Sequence, residues 1–211
     1  MRQRWTGLGE FRAFLEGVER RARSPAPLLR RVAEAGRSST VRRIQAGDFE
    51  ANAPATVAAK GSSSPLVDTG RYVQSISVAY GASFAAWGSN DKRARLLHDG
   101  GTVTPKRATF LAFPPDRAAR RLVRRFGGRS DGANRAAVKQ MRTSGYRVWT
   151  VVRPDGSAGA VLYARGRGEP KVLLVLKKSV TVPARPHYFL DDGDEATISH
   201  MAAEWIGGEL L

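Results

Sequence analysis

Four neighbouring carboxylates, Asp191, Asp192, Asp194 and Glu195, are the first group in this sequence with the makings of a reaction centre. Clusters of that kind hold divalent cations for phosphate-ester chemistry. They also stand where a terminal helix would begin, and acids are favoured at the positive end of a helix macrodipole. The helix-start reading accounts for them without a metal. His98 and Asp99 are half of a proton-transfer set. Adjacent helical residues point apart, however, and no nucleophile stands in a recognisable context, so the pair reads as a cap or a surface pair. Gly166-Arg167-Gly168 lacks both the spacing and the following helix of a phosphate-binding loop.

The strongest chemical signal is arginine. The chain carries 35 Lys and Arg against 19 Asp and Glu, a formal charge of +16. Arg117, Arg120, Arg121, Arg124, Arg125, Arg129, Lys139 and Arg142 concentrate that charge in residues 115–145, where Asp116 and Asp131 alone oppose it. Guanidinium forks match phosphates and carboxylates bidentately, so this stretch suits a polyanion: passing DNA, or an acidic protein ring. Phe126 alone is too little aromatic surface for a dedicated single-strand binder. A solvated charged loop is the competing reading.

Other chemistries are excluded or left without support. Cysteine is absent, which rules out disulfides and thiolate metal sites and fits a reducing cytosol. His98, His187 and His200 are scattered without ligand spacing, and no cofactor is called for. No apolar run approaches the roughly 20 residues of a membrane span. No apolar h-region follows the basic start Met1 to Trp5, so neither a signal peptide nor a membrane partner is expected.

The elements that must position these residues follow from periodicity. Leu8, Phe11, Phe14, Leu15 and Val18 begin a helical arm over residues 1–50, continued past Ser24-Pro25 by Leu28, Leu29, Val32 and Ile44 as one long helix with a kink. Residues 51–64 are small and polar and read as a loop. Alternation from Arg71 through Ile76, Val78 and Tyr80 predicts a strand, returning by a short turn through Phe84 to Trp87. Leu96 and Leu97 lie in a short helix stopped by Gly100-Gly101. Thr109 to Phe113, Tyr146 to Val152, Ala160 to Tyr163 and Lys171 to Val182 read as extended, and a helix follows Asp191. The expected fold is α+β: one domain over 1–211, with an antiparallel sheet packed against a long N-terminal helix and a C-terminal helix. Residues 115–145 form a basic insertion, helical or disordered.

Three stretches, in order, carry a resemblance. Pro65-Leu66-Val67-Asp68-Thr69-Gly70-Arg71 precedes Ser75-Ile76. Gly88-Ser89-Asn90 precedes Leu96-Leu97-His98 and Asp99-Gly100-Gly101-Thr102. Val182-Pro183-Ala184-Arg185-Pro186 leads through Tyr188-Phe189-Leu190 into the acidic helix. Together they resemble the phage virion-morphogenesis family, the Mu-like and related tail-completion or head-tail neck proteins.

The resemblance implies a structural virion protein, not an enzyme, in a ring most simply of six copies. Its neighbours would be stopper, terminator and tail-tube proteins at the neck or top of the tail, with assembly in the host cytoplasm and non-specific contact with genomic DNA. Asp68, Thr69, Gly70, Arg71, Gly100, Gly101, Pro183, Arg185 and Pro186 would then be structural. Asp68 would bond its own turn and Arg71 would open a strand. No Lys or Arg follows Arg185, so Asp191, Asp192, Asp194, Glu195 and Trp205 are candidates for contact with a basic face of the next subunit. The alternative is a nucleic-acid-binding module using the arginine-rich surface. A metal-dependent nuclease or cell-wall hydrolase has the least support.

Overall fold

Proline 25 removes the amide that a continuous N-terminal helix would need, and the chain makes two helices there instead of one. The computed structural model describes residues 7–128 and 132–208. In chain order the elements begin α1 (Leu8–Arg23), α2 (Ala26–Ala46), α3 (Pro54–Lys60), α4 (Arg71–Gln74), β1 (Ile76–Tyr80) and β2 (Ala85–Ser89). Then come α5 (Ala94–Asp99), β3 (Gly101–Val103), β4 (Leu111–Phe113), α6 (Arg117–Gly127) and α7 (Ala133–Thr143). Last are β5 (Tyr146–Val152), β6 (Ala158–Arg165), β7 (Lys171–Lys177), β8 (Val180–Val182) and α8 (Asp192–Gly207). The class is α+β with antiparallel sheets. Where the sequence suggests one domain, the chain divides into two compact units.

The first unit takes Met1–Asp48, Thr69–Ala94 and Pro186–Leu211. Gly36, Ser39 and Thr40 look like helix weakeners, yet they are buried within an unbroken α2. Their small size is what lets a neighbour approach: a Cβ on Gly36 would lie 2.7 Å from the Trp87 ring. Trp87 belongs to the hairpin β1–β2, in which Ile76 faces Ser89 and Tyr80 faces Ala85. The indole Nε1 donates to Thr40 Oγ1 at 2.9 Å, and Arg37 Nε donates to the Ile76 carbonyl at 2.7 Å. Arg71 does not open the strand: it begins the single turn α4, after Gly70 at φ +74°. α8 starts with a reciprocal cap, in which Asp191 accepts from the Asp194 amide and the Asp194 carboxylate accepts from the Asp191 amide. It packs against α2 and α1.

The second unit takes Phe49–Asp68 and Arg95–Arg185. Its main sheet has the order β4-β7-β6-β5, with every pair antiparallel. A bulge at Val161/Leu162 leaves Leu173 unpaired between Val172 and Leu174. Leu173 and Leu174 both turn into the core, at 0% and 2% exposure. That core joins them to Val148, Val161 and Leu176 of the sheet and to Val123, Ala137 and Met141 of α6 and α7. Of the two expectations for residues 115–145, the helical one holds. The segment is no mere insertion, because α6 and α7 form the helical layer that closes the sheet's core. The run Lys171 to Val182 also splits: β7 joins this sheet, while β8 pairs with β3 in a separate ribbon. Residues 54–60, expected as loop, form α3, begun by Pro54 and ended by Gly61 at φ +79°.

Candidate functional site

The motif residues of the second unit meet in a backbone knot. Gly101 of β3 stands opposite Val182 of β8. Gly100 has φ +70°, and a Cβ there would lie 2.5 Å from the Ala184 amide nitrogen. One step further on, the Arg185 amide donates to the His98 carbonyl at 3.0 Å. The Arg185 side chain is 6% exposed. Its Nε donates to the Glu50 carbonyl at 3.0 Å, and Nη2 reaches the Ala51 carbonyl and Asn52 Oδ1 at 3.4 and 3.3 Å. A guanidinium used this way is a strut, fixing the chain between Pro183 and Pro186 against residues 50–52.

Asp68 is not spent on its own turn as expected. Both its oxygens accept from Arg120, at 3.1 Å from Nη1 and closer from Nη2. The Arg120 hydrogen bond holds the Asp68 carboxyl below its ordinary range, against burial that pushes it up. Burial draws the neighbouring Lys60 ammonium downward, against the pull of Asp68.

In the first unit the residues after Gly70 and after Pro186 converge. Tyr72 Oη lies 2.5 Å from His187 Nε2 and 3.4 Å from Tyr188 Oη. Burial, then the bond to Tyr188, pushes the Tyr72 phenol far above its usual value. Two of the four acids are spent within their own chain. Arg43 hydrogen-bonds Asp191 at 2.7 Å and also Asp194, donates to the Phe189 carbonyl at 2.8 Å, and stacks 4.0 Å from the Phe189 ring centre. Burial pushes the Asp194 carboxyl up, but hydrogen bonds from Ser39, Arg43 and the Asp191 amide together hold it low. Trp205, 9% exposed, donates from Nε1 to the Arg21 carbonyl at 3.3 Å. Of the residues expected at a subunit contact, Asp191, Asp194 and Trp205 thus serve their own chain, and Asp192 and Glu195 are exposed.

The cations of α6 and α7 divide by role. Arg120 is held by Asp68, and Arg124 is half-buried. Arg142 donates from Nε and Nη2 to the Val148 carbonyl at 3.2 and 3.0 Å while staying exposed. Arg117, Arg121, Arg125 and Lys139 are exposed, whereas Arg129 lies outside the described residues. Sequence reasoning missed Arg135. It completes an i, i+4, i+7 stripe with Lys139 and Arg142, and that spacing was the signal that could have found it.

Among the described residues no three of His, Asp and Glu come together as metal ligands, and no helix is long and apolar enough to cross a membrane. A cleft of about 200 Å³ along α2 and α8 is lined by Gly36, Arg42, Leu190 and Asp194, whose carboxylate already serves Arg43. Comparison with protein-family models, with curated proteins and with solved structures finds no match.

Proposed function

We propose that this chain is a structural virion protein of a tailed bacteriophage, completing the tail or joining tail to head at the neck as a ring. The observation that carries the proposal is the use of the three resembling stretches as paired structural ties. The second and third meet at Gly100, Ala184 and Arg185; Tyr72, the residue after the first stretch, bonds Tyr188 of the third and His187 beside it. Residues that share a pattern because they hold a backbone together belong to a scaffold, and a scaffold role needs no reaction at those positions. Six copies, matching tail symmetry, and contact with stopper, terminator or tail-tube proteins complete the proposal.

The test is electron microscopy of lysates from the source phage with this gene disrupted. The proposal expects full heads beside unattached or overlong tails. Intact infectious particles would overturn it.

A further inference from the structure

α6 and α7 contain no Asp or Glu. Each turns apolar residues to the sheet: Val123 on α6, Ala137 and Met141 on α7, with Ala119 also buried. The cations take the opposite sides. Arg117, Arg121 and Arg125 recur every fourth residue, about 6 Å apart along the axis of α6. On α7, Arg135, Lys139 and Arg142 follow at i, i+4 and i+7, Arg142 being exposed while it also holds the Val148 carbonyl. The helices pack directly together, and at their junction a Cβ on Gly127 would lie 1.9 Å from the Ala133 carbonyl oxygen. Asp116, the acid at the start of α6, is occupied capping the Ala119 amide at 2.7 Å.

We infer that the solvent face of α6 and α7 is a binding surface for the phosphate backbone of duplex nucleic acid, engaged without base readout. Three observations select this partner. The face is cationic and preformed, because its helices are pinned by core residues, so binding orders side chains but not backbone. It offers no large apolar anchor of the kind that centres a protein–protein interface: Ala118, Ala136, Gln140 and Thr143 lie between the cations. It also offers no stacking platform for unpaired bases, because Phe126 is turned to Tyr146, with ring centres 5.6 Å apart. Arginine and lysine on helices reach phosphates, which position a protein without specifying sequence. The surface stands whether or not the chain belongs to a virion.

Fluorescence anisotropy of the full chain with a short labelled mixed-sequence duplex tests it. Five or six phosphate contacts predict a slope of log affinity on log salt of about −5, or roughly 1,000-fold weakening between about 50 and 200 mM salt. Combining Arg121→Gln, Arg125→Gln and Lys139→Gln should make the slope shallower by about 3. Combining Arg153→Gln, Arg167→Gln and Lys178→Gln removes the same charge from exposed positions elsewhere in the unit and should leave the slope nearly unchanged. If the first triple variant does not fold, as judged by circular dichroism, each single Gln variant should still cost about 1 in slope. Equal losses from both triples would overturn the inference, as would absence of duplex binding at low salt. Equally tight binding of polyglutamate would also overturn it, by pointing to an acidic protein. Loss of binding leaves the virion proposal to the microscopy.

Discussion

Gly36→Ala puts helix propensity and packing in direct opposition. On an unencumbered helix the change stabilises by up to about 1 kcal/mol. Here the new methyl would sit 2.7 Å from Cδ2, Cε2 and Cε3 of Trp87, in the rigid part of a fused ring. The indole cannot swing away freely, because its Nε1 is bonded to Thr40 Oγ1 and Thr40 is 0% exposed. Shifting the ring strains the contact, at about 2 kcal/mol. Stretching the bond leaves a buried hydroxyl poorly satisfied, at about 2 kcal/mol more. Set against the propensity gain, the net expectation is a loss of about 3 kcal/mol. Urea unfolding followed by circular dichroism reads this as a lower midpoint at unchanged slope. The same substitution in a Trp87→Leu background should turn neutral or stabilising, a coupling a double-mutant cycle measures directly. A raised midpoint for Gly36→Ala alone would refute the reasoning, because it would mean that Trp87 does not lie on Gly36.

Gly127→Ala meets a backbone atom, the Ala133 carbonyl oxygen, at 1.9 Å and should force α6 from α7 at a cost of about 3 kcal/mol, read as a lower melting temperature; an unchanged melt would refute the close approach. Acid should destabilise the fold through carboxylates held low. Hydrogen bonding to Arg93 holds Asp91 at about 2, and Asp68 and Asp194 are depressed as well. A depressed folded-state pKa contributes stability above the unfolded value near 4, which is lost as pH falls through the folded value, so urea midpoints should drop from about pH 4 towards pH 2. Asp91→Asn should make that drop shallower, and a wild-type midpoint flat down to about pH 2 would show that these arginine contacts do not form.

Much of the fold was legible where local chemistry and tertiary role agree. α8 was announced by Asp191 to Glu195 and closed by Gly208, and the β5–β6 hairpin by its turn at Pro154-Asp155-Gly156. α3 was hidden because Ala53, Ala55, Ala58 and Ala59 give no polar–apolar contrast for a period to appear in. In α6 and α7 the arginines were legible, but Leu122, Val123, Val138 and Met141 beneath them were not read as a core stripe. With that stripe masked by charge, the layer looks like an insertion in the sequence. Leu173 and Leu174 share a face only because of a bulge, which breaks the alternation that strand reading relies on. The ties at Asp68–Arg120 and Arg43–Asp191 join residues far apart in sequence, so neither partner marks the other locally. For that reason the acids at 191 and 194 read as a helix start and a subunit contact rather than as partners of Arg43.

The route of the chain through the two units bears on how the molecule is made. It passes from one unit to the other at residues 48/49, 68/69, 94/95 and 185/186. On the ribosome, every segment of the second unit has emerged once Arg185 has, and its β3–β8 ribbon and Arg185 strut can close then. The first unit is still waiting for α8, so Arg43 has no carboxylate partner there and the Arg21 carbonyl has no Trp205. Synthesis therefore finishes the unit that carries α6 and α7 first. A nascent chain halted before Pro186 would present a complete cationic layer beside an unfinished first unit.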